Sequence, residues 1–559
     1  MSNLSVGFID LATFDDVESF LYAGPTAVTY FIRQHKKSSW FTQVPVVLTQ
    51  SNGTPDFGAS WSVNISRAGD YLLHTWLEVV TPAITPLAAG AVAAVGATAT
   101  ILPAAGATPG DNSVPESTVG RIGSYSYMHA LGTLVVPGMI GTTNADAGSL
   151  FGAVITTGFT VTRVERDAVR QIVTIDRPLT ANTTANGTVA YSILNFKNYW
   201  AKNFMHNLID ECTVTFNDLI AHKITGEGLD FWAEFNVPAG KRVAYDRMIG
   251  AGVQTPQENG NGSYFLHGVD ASVARTFSLP LPFFFTRESG VALPTAAIPY
   301  NDMRINFKFK TLTQLLTSWN PSTHAITTLT AGVAAASLTA SLTSAKVYAN
   351  YAIVSNDERQ LMGSTPRDIV IEQNQLAPVT TLKDATAATS YDIRFSHAVK
   401  SLTFAIRDIS AGTETYLSGA GYTGGVGGDG SFSCYSDRIL NQPFELTGTY
   451  ARSSPIASAK LLYENSTRLD MPTQYFTHVN PYYSSTTVPE EPGLHFYSYS
   501  LDSSSIDPMG STNYGKLTNV SLSITPQGTQ SVTTSQVIVS AVNHNVIRVS
   551  GGAVGFPVL

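Results

Sequence analysis

The chain has 559 residues, of which 43% are hydrophobic and only 13% are charged, with a formal net charge of −8. This length suffices for two or more hydrophobic cores. The negative charge and the short basic clusters at 35–37 and 241–242 argue against general nucleic-acid affinity, because phosphate binding needs concentrated positive charge. Two cysteines, Cys212 and Cys434, form neither a disulfide framework nor a zinc site and indicate folding in a reducing compartment.

The N-terminal segment is apolar and acidic. Residues 1–24, MSNLSVGFIDLATFDDVESFLYAG, contain no lysine or arginine, so we do not expect a signal peptide. Residues 1–25 are too short to form a core of their own, and their apolar side chains need a partner surface. We predict that they form an arm beneath the body of the protein, exposing Val6, Phe8, Ile9, Leu11, Phe14, Phe20 and Leu21 to that partner.

Alternation of apolar and polar residues predicts short, half-buried strands along the chain. The segments with this pattern are 61–66, 212–216, 304–310, 401–407 and 520–525. Helical periodicity is scarce and predicts short helices only at 227–235 and 357–362. Many short strands separated by Gly and Pro turns predict a sandwich or barrel.

Three stretches have low complexity and predict surface loops or small added lobes, namely 83–198, 311–345 and 411–432. The first includes a more strand-like part from Phe159 to Ile175. Residues 79–110 carry no charge and are long enough to span a bilayer. Their four prolines and many small residues argue against a membrane helix.

Residues 280–300, PLPFFFTRESGVALPTAAIPY, place three phenylalanines in succession. Two prolines spaced two apart favour a strand at a sheet edge. Strand geometry sends Phe284 to one face and Phe283 with Phe285 to the other. One interpretation is an ordinary core strand whose odd phenylalanine meets a loop; the other is a strand packed on a second domain or subunit.

Catalytic motifs are missing from the sequence. It contains no HExxH, GxxxxGK[ST], GxSxG or CxxC, and the glycine-rich segment 424–430 lacks the strand-to-helix context of a phosphate site. Neighbouring carboxylates on a strand point in opposite directions, so the acidic pairs at 15–16, 210–211 and 490–491 do not flank one substrate. His206 and His222 are not at metal-ligand spacing. We assign no catalytic, cofactor-binding or metal-binding residue and predict that the chain is not an enzyme.

Five blocks of sequence carry a resemblance to a known family. In chain order they are 57–79 with the turn Ile65, Ser66, Arg67, Gly69 and Asp70; 203–235; 280–309; 345–362 with its DER motif, followed by 368–375 with its IEQ motif; and 493–524 with Pro508, Gly510 and Asn513. In this order they resemble the double jelly-roll major capsid proteins of nucleocytoplasmic large DNA viruses. The N-terminal block GFIDLATFDDVESFLYAGPTAVTYF is most similar to the iridovirus and marseillevirus branch.

The resemblance implies an all-β fold of two tandem eight-stranded jelly rolls, with short helices and a large loop insertion in the first roll. The implied domains are an N-terminal arm (1–25), a first jelly roll (26–313) with a surface loop insertion (83–198), a linker (314–344), a second jelly roll (345–530) and a C-terminal tail (531–559). Phe284, or else Phe283 with Phe285, would then face the companion jelly roll or a neighbouring subunit.

The resemblance also implies a structural virion protein, a major capsid protein whose pseudo-hexameric homotrimers tile an icosahedral capsid. Its implied partners are neighbouring capsomers and minor capsid or cement proteins on the inner face. It would not contact nucleic acid directly or span a membrane, although it would lie close to an internal viral membrane. Assembly would take place in the host cytoplasm. The alternative is a β-sandwich that binds glycans or acts as an adhesin through exposed Tyr-rich loops.

Overall fold

The structure is a computed structural model, and it describes the chain in segments. The described residues are 2–33, 35, 37–87, 97–100, 125–130, 135, 139–143, 159–166, 170–176, 188–191, 196–251, 253–259, 262–320, 325–327, 329–409, 433, 435, 437–438, 452–489, 492–528 and 532–556.

Strands dominate the described residues, as the alternating pattern predicts. In chain order they are β1 (Phe41–Val47), β2 (Thr49–Asn52), β3 (Ser60–Asn64), β4 (Tyr71–Val80), β5 (Ala97–Thr100), β6 (Ser126–Ala130), β7 (Ile140–Thr143), β8 (Phe159–Arg166), β9 (Arg170–Ile175), β10 (Thr188–Tyr191), β11 (Lys197–Trp200), β12 (Ile209–Phe216), β13 (Leu219–Thr225), β14 (Val253–Asn259), β15 (Gly262–Asp270), β16 (Thr276–Pro280), β17 (Met303–Phe309), β18 (Leu316–Asn320), β19 (Ala325–Thr327), β20 (Ser344–Val354), β21 (Arg367–Leu376), β22 (Thr380–Thr381), β23 (Thr389–Asp392), β24 (Ala398–Asp408), β25 (Asp437–Arg438), β26 (Arg452–Ser453), β27 (Ile456–Tyr463), β28 (Ser466–Pro472), β29 (His495–Ser498), β30 (Thr512–Asn513), β31 (Val520–Pro526), β32 (Ser535–Ser550) and β33 (Ala553–Gly555).

The helices are short. They are α1 (Ser2–Ala12), α2 (Asp16–Tyr22), α3 (Phe204–Leu208), α4 (Gly226–Asn236), α5 (Ala239–Ile249), α6 (Leu329–Gly332), α7 (Asn356–Ser364) and α8 (Asn480–Ser484). Single 3-10 turns occur at Phe284–Thr286, Ser289–Val291, Thr295–Ala297, Leu312–Gln314, Ala335–Ser337 and Tyr514–Lys516, and a π-helical turn at Tyr475–Val479. Both predicted helices are present, as α4 and α7.

Roll 1 consists of two antiparallel sheets around one apolar core. Sheet 1A has the order β1-β20-β4-β16, and sheet 1B has the order β13-β12-β17-β3-β2. Leu77 and Val347 from sheet 1A share a buried cluster with Val63, Ile305 and Phe307 from sheet 1B. Alternate residues on each strand enter this cluster because successive side chains point to opposite faces.

Roll 2 repeats this arrangement. Sheet 2A has the order β21-β32-β24-β29 and sheet 2B the order β23-β31-β27-β28. The eight main strands of roll 1 are, in chain order, β1, β3, β4, β12, β13, β16, β17 and β20, and those of roll 2 are β21, β23, β24, β27, β28, β29, β31 and β32. With the strands of each roll numbered one to eight, sheets 1A and 2A both have the order first, eighth, third, sixth. The predicted all-β fold of two tandem eight-stranded jelly rolls is therefore confirmed.

Strand pairing corrects the predicted boundaries between the rolls. β20 lies between β1 and β4, so residues 344–354 are the eighth strand of roll 1, whereas the prediction began roll 2 at 345. β32 lies between β21 and β24 and belongs to roll 2, whereas the prediction placed 531–559 in a tail. Part of the predicted linker 314–344 forms β18 and β19, which extend the sheet β14-β15-β11-β18-β19. In each case a strand far along the chain is needed to complete a sheet and bury its apolar face.

The segment predicted as a surface loop insertion, 83–198, contains a sheet in its described parts. Its strand order is β5-β10-β7-β8-β9-β6, and the strand-like part from Phe159 to Ile175 forms β8 and β9. Tyr127 and Phe159 pack edge to face with ring centroids 5.9 Å apart. Much of 79–110 lies outside the described residues. Within the described part of the chain, no helix is long and apolar enough to cross a membrane.

The three successive phenylalanines do not form the predicted strand. β16 ends at Pro280, Phe283 keeps an extended backbone, and the chain then tightens into the 3-10 turn Phe284–Thr286. The ring centroids of Phe283 and Phe285 are 5.5 Å apart, and those of Phe284 and Phe285 are 5.2 Å apart. All three side chains are buried within the single chain. Of the two predicted surroundings for Phe284, the companion jelly roll or a neighbouring subunit, this burial leaves the companion jelly roll.

Replacing Phe307 tests the assignment of the roll 1 core. Its ring is buried and stacks on Trp61 at a centroid distance of 5.3 Å. Phe307→Ala should lower the free energy of unfolding by about 3–5 kcal/mol, because the cavity and the lost apolar contacts both destabilise the core. Urea unfolding measures this difference.

The matched control is Phe20→Ala, because Phe20 is 88% exposed in the same chain. We expect its effect to stay within about 0.5 kcal/mol. Equal effects of the two substitutions would contradict the core assignment.

Candidate assembly surfaces and the joint between the rolls

The outer face of sheet 2A, which turns away from sheet 2B, is covered by roll 1. Phe231 and Phe235 on α4 join a buried cluster with Ala405, Phe496 and Ile538 of sheet 2A. The rings of Phe235 and Phe496 stack with centroids 4.7 Å apart. Because sheet 2A also packs on sheet 2B, it is apolar on both faces and needs this second cover.

A charged contact beside this apolar cluster joins the rolls. The carboxylate of Glu227, at the start of α4, lies 2.6 Å from Arg407 on β24 and 3.7 Å from Lys310. Burial alone would raise the pKa of Glu227, but Lys310 and Arg407 outweigh it and hold this pKa below its ordinary value. The two rolls are therefore coupled by a largely buried, hydrogen-bonded ion pair.

Lys400 on β24 is a fully buried lysine. Its ammonium contacts the carboxylate of Glu372 and the carbonyl of Ser505. Burial lowers the pKa of Lys400, and the charge of Glu372 opposes this shift. The second oxygen of Glu372 lies 3.2 Å from Arg287 of roll 1, so this buried cluster also bridges the two rolls.

Phe284 lies at the boundary between the rolls. A cavity of about 40 Å³ is lined from roll 1 by His222, Phe284 and Arg287, and from roll 2 by Glu372 and Ser401. The backbone N–H of Phe284 donates to Nδ1 of His222 at 3.2 Å. Burial, with a further effect of Arg287, lowers the pKa of His222 to about 3. The prediction that Phe284 faces the companion jelly roll is confirmed.

A buried histidine and aspartate form a further link that the sequence did not reveal. Nδ1 of His206 lies 2.7 Å from Oδ1 of Asp230, and its Nε2 lies 2.7 Å from the hydroxyl of Tyr245. Tyr435 of roll 2 donates to Oδ2 of Asp230 at 2.8 Å. Burial raises the pKa of Asp230, but hydrogen bonds from His206 and then from Tyr435 outweigh it and lower that pKa. This enclosed arrangement fastens the α3–α5 region of roll 1 to roll 2.

The turn motif in the 57–79 block has a structural role at the crossing between rolls. Asp70 forms a bidentate pair with Arg359 of the DER motif, at 2.7 and 2.9 Å, and also accepts the N–H of Val354 at 2.9 Å. A Cβ at Gly69 would lie 2.5 Å from the Cβ of Tyr351, so this position needs glycine. The motif therefore ties the turn before β4 to the end of β20 and to α7.

The other residues weighed from the sequence do not assemble into a reactive centre. Asp210 and Glu211 are each paired with a lysine, Lys308 at 2.6 Å and Lys223 at 2.7 Å respectively. A β-bulge between Ile209 and Glu211 interrupts the strand alternation on which the prediction that the two carboxylates point apart relied. Cys212 is buried, and burial raises the pKa of its thiol. Cys434, Glu490, Glu491 and 424–430 lie outside the described residues. In the part of the chain that the structure describes, no group of three or more His, Cys, Asp or Glu residues can hold a metal ion.

The N-terminal arm exposes most of its apolar side chains. Residues 6–33 are exposed, with only Glu18 half-buried, although α1 and α2 are formed. The large exposed side chains of this segment and its continuation include Phe8, Phe20, Tyr30, Phe31 and Trp40. Exposed apolar surface of this extent marks a site of interaction.

Two further apolar surfaces lie on the rolls themselves. On roll 2, Tyr482 is 71% exposed, Tyr483 is 79% exposed and Leu501 is 81% exposed. On roll 1, the outer face of sheet 1A, which turns away from sheet 1B, carries the stacked rings of Trp76 and Tyr348. These surfaces are candidates for contacts between copies.

Comparison with protein families identifies both halves of the chain. The model described as "Major capsid protein N-terminus" matches residues 29–102 and 161–354. The model described as "Large eukaryotic DNA virus major capsid protein" matches residues 358–555. The two matches meet just after β20, where the strand pairing also divides the rolls.

Whole-chain relatives agree with these matches. The chain is 39% identical to the major capsid protein of Invertebrate iridescent virus 6 over 580 residues, which covers 100% of this chain and 99% of that protein. It is 37% identical to the major capsid protein of Costelytra zealandica iridescent virus, again covering 100% and 99%. The predicted resemblance to this family is therefore confirmed.

Solved structures share the fold at low sequence identity. The Faustovirus major capsid protein matches with a TM-score of 0.58 at 12% identity, covering 96% of this chain and 94% of that one. The quasi-atomic model of the PBCV-1 virus capsid matches with a TM-score of 0.57 at 16% identity, covering 95% and 100%.

Neutralising Glu227 tests the charged contact between the rolls. Glu227→Gln should lower the free energy of unfolding at neutral pH by about 1–3 kcal/mol, because it leaves the largely buried Arg407 without its counter-charge. The pKa of Glu227 is lower in the folded chain than in the unfolded one, so its contribution is complete above about pH 4.5 and is lost as the pH falls further. Urea unfolding at a series of pH values should therefore show that acidification lowers the free energy of unfolding less in the variant than in the wild-type chain.

The control is Glu211→Gln, which removes an ion pair whose partners are both more than one-third exposed. Its effect should be about 0–1 kcal/mol. A Glu227 variant as stable as this control would refute the coupling.

Proposed function

The chain belongs to the major capsid protein family of large eukaryotic DNA viruses, and we propose that three copies of it form one capsomer of the virion shell. Like its relatives, which are named major capsid proteins, it is a structural protein of the capsid and not an enzyme. The alternative of a glycan-binding or adhesin protein is not retained. What carries the proposal is the repetition of one jelly roll within a single chain.

Two similar rolls in each chain favour a trimer. Three copies would place six similar lobes in a ring with a pseudo-hexagonal outline, and such rings pack as tiles on an icosahedral facet. Rotational symmetry closes the assembly, so every copy makes the same contacts. The exposed apolar side chains of sheet 1A and of roll 2 would be covered in this ring.

The remaining partners follow from the position of each part in such a shell. The N-terminal arm would lie beneath the capsomer and bind minor capsid or cement proteins on the inner face, near an internal viral membrane. The insertion at 83–198 would lie on the outer surface. With a net charge of −8, the chain would not bind the genome directly. Assembly would take place in the host cytoplasm, and neighbouring capsomers would supply the lateral contacts.

The oligomeric mass tests the capsomer. We expect light scattering of the purified chain to give three times 59.7 kDa, because closure of the ring buries apolar surface that a monomer leaves in water. A protein that remains monomeric over a wide concentration range would overturn the trimer.

Removal of the arm tests its proposed role. A chain lacking residues 2–25 should still form trimers but should fail to assemble into complete capsids with the inner-face proteins, because the exposed apolar side chains of α1 and α2 are lost. Electron microscopy of particles made by co-expression measures the outcome. Normal capsids from the truncated chain would contradict this role.

A further inference from the structure

Sheets 1A and 2A are equivalent elements that meet different surroundings. Their strand order is the same, and each packs one face on the facing sheet of its own roll. What covers the outer face of sheet 2A within one chain therefore indicates what can cover the outer face of sheet 1A.

Two segments of roll 1 cover the outer face of sheet 2A. The first segment follows β13, the fifth main strand of roll 1, and carries Phe235 of α4, which stacks on Phe496. The second follows the sixth strand and carries Arg287, 3.2 Å from Glu372. The side chain of Arg367 in sheet 2A also donates to the carbonyl of Gly290 in this second segment at 2.7 Å.

The outer face of sheet 1A has an apolar row and an open groove. Register places Val47, Tyr348, Trp76 and Pro280 side by side across its four strands. The rings of Trp76 and Tyr348 lie 5.2 Å apart and are nearly parallel, at 6°. An open groove of about 420 Å³ adjoins this row. Its lining includes His74, Trp76, Trp232, Met248 and Pro280.

The corresponding segments of roll 2 carry exposed apolar residues. The segment after its fifth strand, 473–489, presents Tyr482 and Tyr483, whose rings lie 5.1 Å apart. The segment after its sixth strand, 499–511, presents Leu501. The N–H of Ser503 in the second segment donates to the carbonyl of Ser484 in the first at 2.8 Å, so the two form one continuous surface. We call these two segments the tyrosine surface.

We propose that the tyrosine surface of one copy covers the outer face of sheet 1A of a second copy, with Tyr482 and Tyr483 in the groove beside Trp76. This inference rests on the proposed trimer and assigns its interface. The contact between the rolls of one chain is thereby repeated between chains. Six such contacts, three within chains and three between them, close a ring of three copies because the interface is head-to-tail.

Chemical cross-linking of mixed variants tests the pairing directly. One chain carries His74→Cys and the other carries Tyr482→Cys, and Cys434 is replaced by serine in both. After separate purification, mild dissociation and reassembly together, a short bifunctional thiol reagent should join the two chains. We expect a band at twice the chain mass only in the mixture. A control mixture of Leu361→Cys with Tyr482→Cys tests for non-specific reaction, since Leu361 is exposed on α7.

Surface substitutions give an independent measurement. Tyr482→Ser with Tyr483→Ser should shift the trimer-to-monomer midpoint to at least tenfold higher protein concentration. Tyr30→Ser, which changes a still more exposed tyrosine of the N-terminal segment, should not shift it. Thermal unfolding of the monomeric forms, measured alongside, would show whether the substituted chains fold normally.

The outcomes separate this inference from the trimer itself. A wild-type trimer that shows no cross-link and tolerates both tyrosine substitutions would overturn the assigned surface and leave the capsomer intact. Cross-linking of Tyr482→Cys chains to one another, in the absence of the His74→Cys chain, would overturn it in favour of a symmetric tyrosine contact. A wild-type chain that is monomeric would overturn both the surface and the proposed function.

Discussion

The outer face of sheet 2A is the constraint on which the rest of the chain depends. A sheet with apolar side chains on both faces is stable only when both are removed from water. Sheet 2B covers one face of sheet 2A, and Phe231 and Phe235 of roll 1 cover the other. The two rolls are therefore not independent domains joined only by a linker. The region around α4 completes the packing of roll 2.

Charges at the joint follow from this burial. Glu227, Glu372 and Asp230 lie where one roll meets the other, and each is held by partners from both rolls. A buried carboxylate is costly without such partners, so a shift of one roll against the other would leave charges unpaired. Apolar contact supplies the attraction, whereas these charge-assisted contacts define one relative position of the rolls. A tile that must match its neighbours benefits from a fixed shape.

The sequence predicts the strands well and their partners poorly. Residues 304–310 show strict alternation, and β17 buries Ile305, Phe307 and Phe309 on one face as that pattern requires. Three successive phenylalanines have no such period, and a 3-10 turn lets all three reach the core from one short segment. The sequence alone places β20 in the wrong roll, because the residues of this strand fit either sheet. Its register with β1 and β4, both more than 250 residues earlier, determines the roll to which it belongs. Asp230 gave no signal, since its partners His206 and Tyr435 are distant in sequence.

The same non-local logic explains why residues that resemble catalytic groups do no chemistry here. His206 and Asp230 have the spacing of a general-base pair, yet both are buried, and the second ring nitrogen of His206 is bonded to Tyr245 rather than directed at an opening. A general base needs a substrate proton within hydrogen-bond reach, and this pair is enclosed by the helices it fastens. The hydrogen bonds of His206 and Asp230 instead hold α4 in place, and α4 is the helix that covers sheet 2A. The buried hydrogen bonds of Asp230 and the apolar packing of Phe231 and Phe235 therefore both act on α4. Because α4 contacts sheet 2A, it determines the orientation in which roll 2 would meet the next copy.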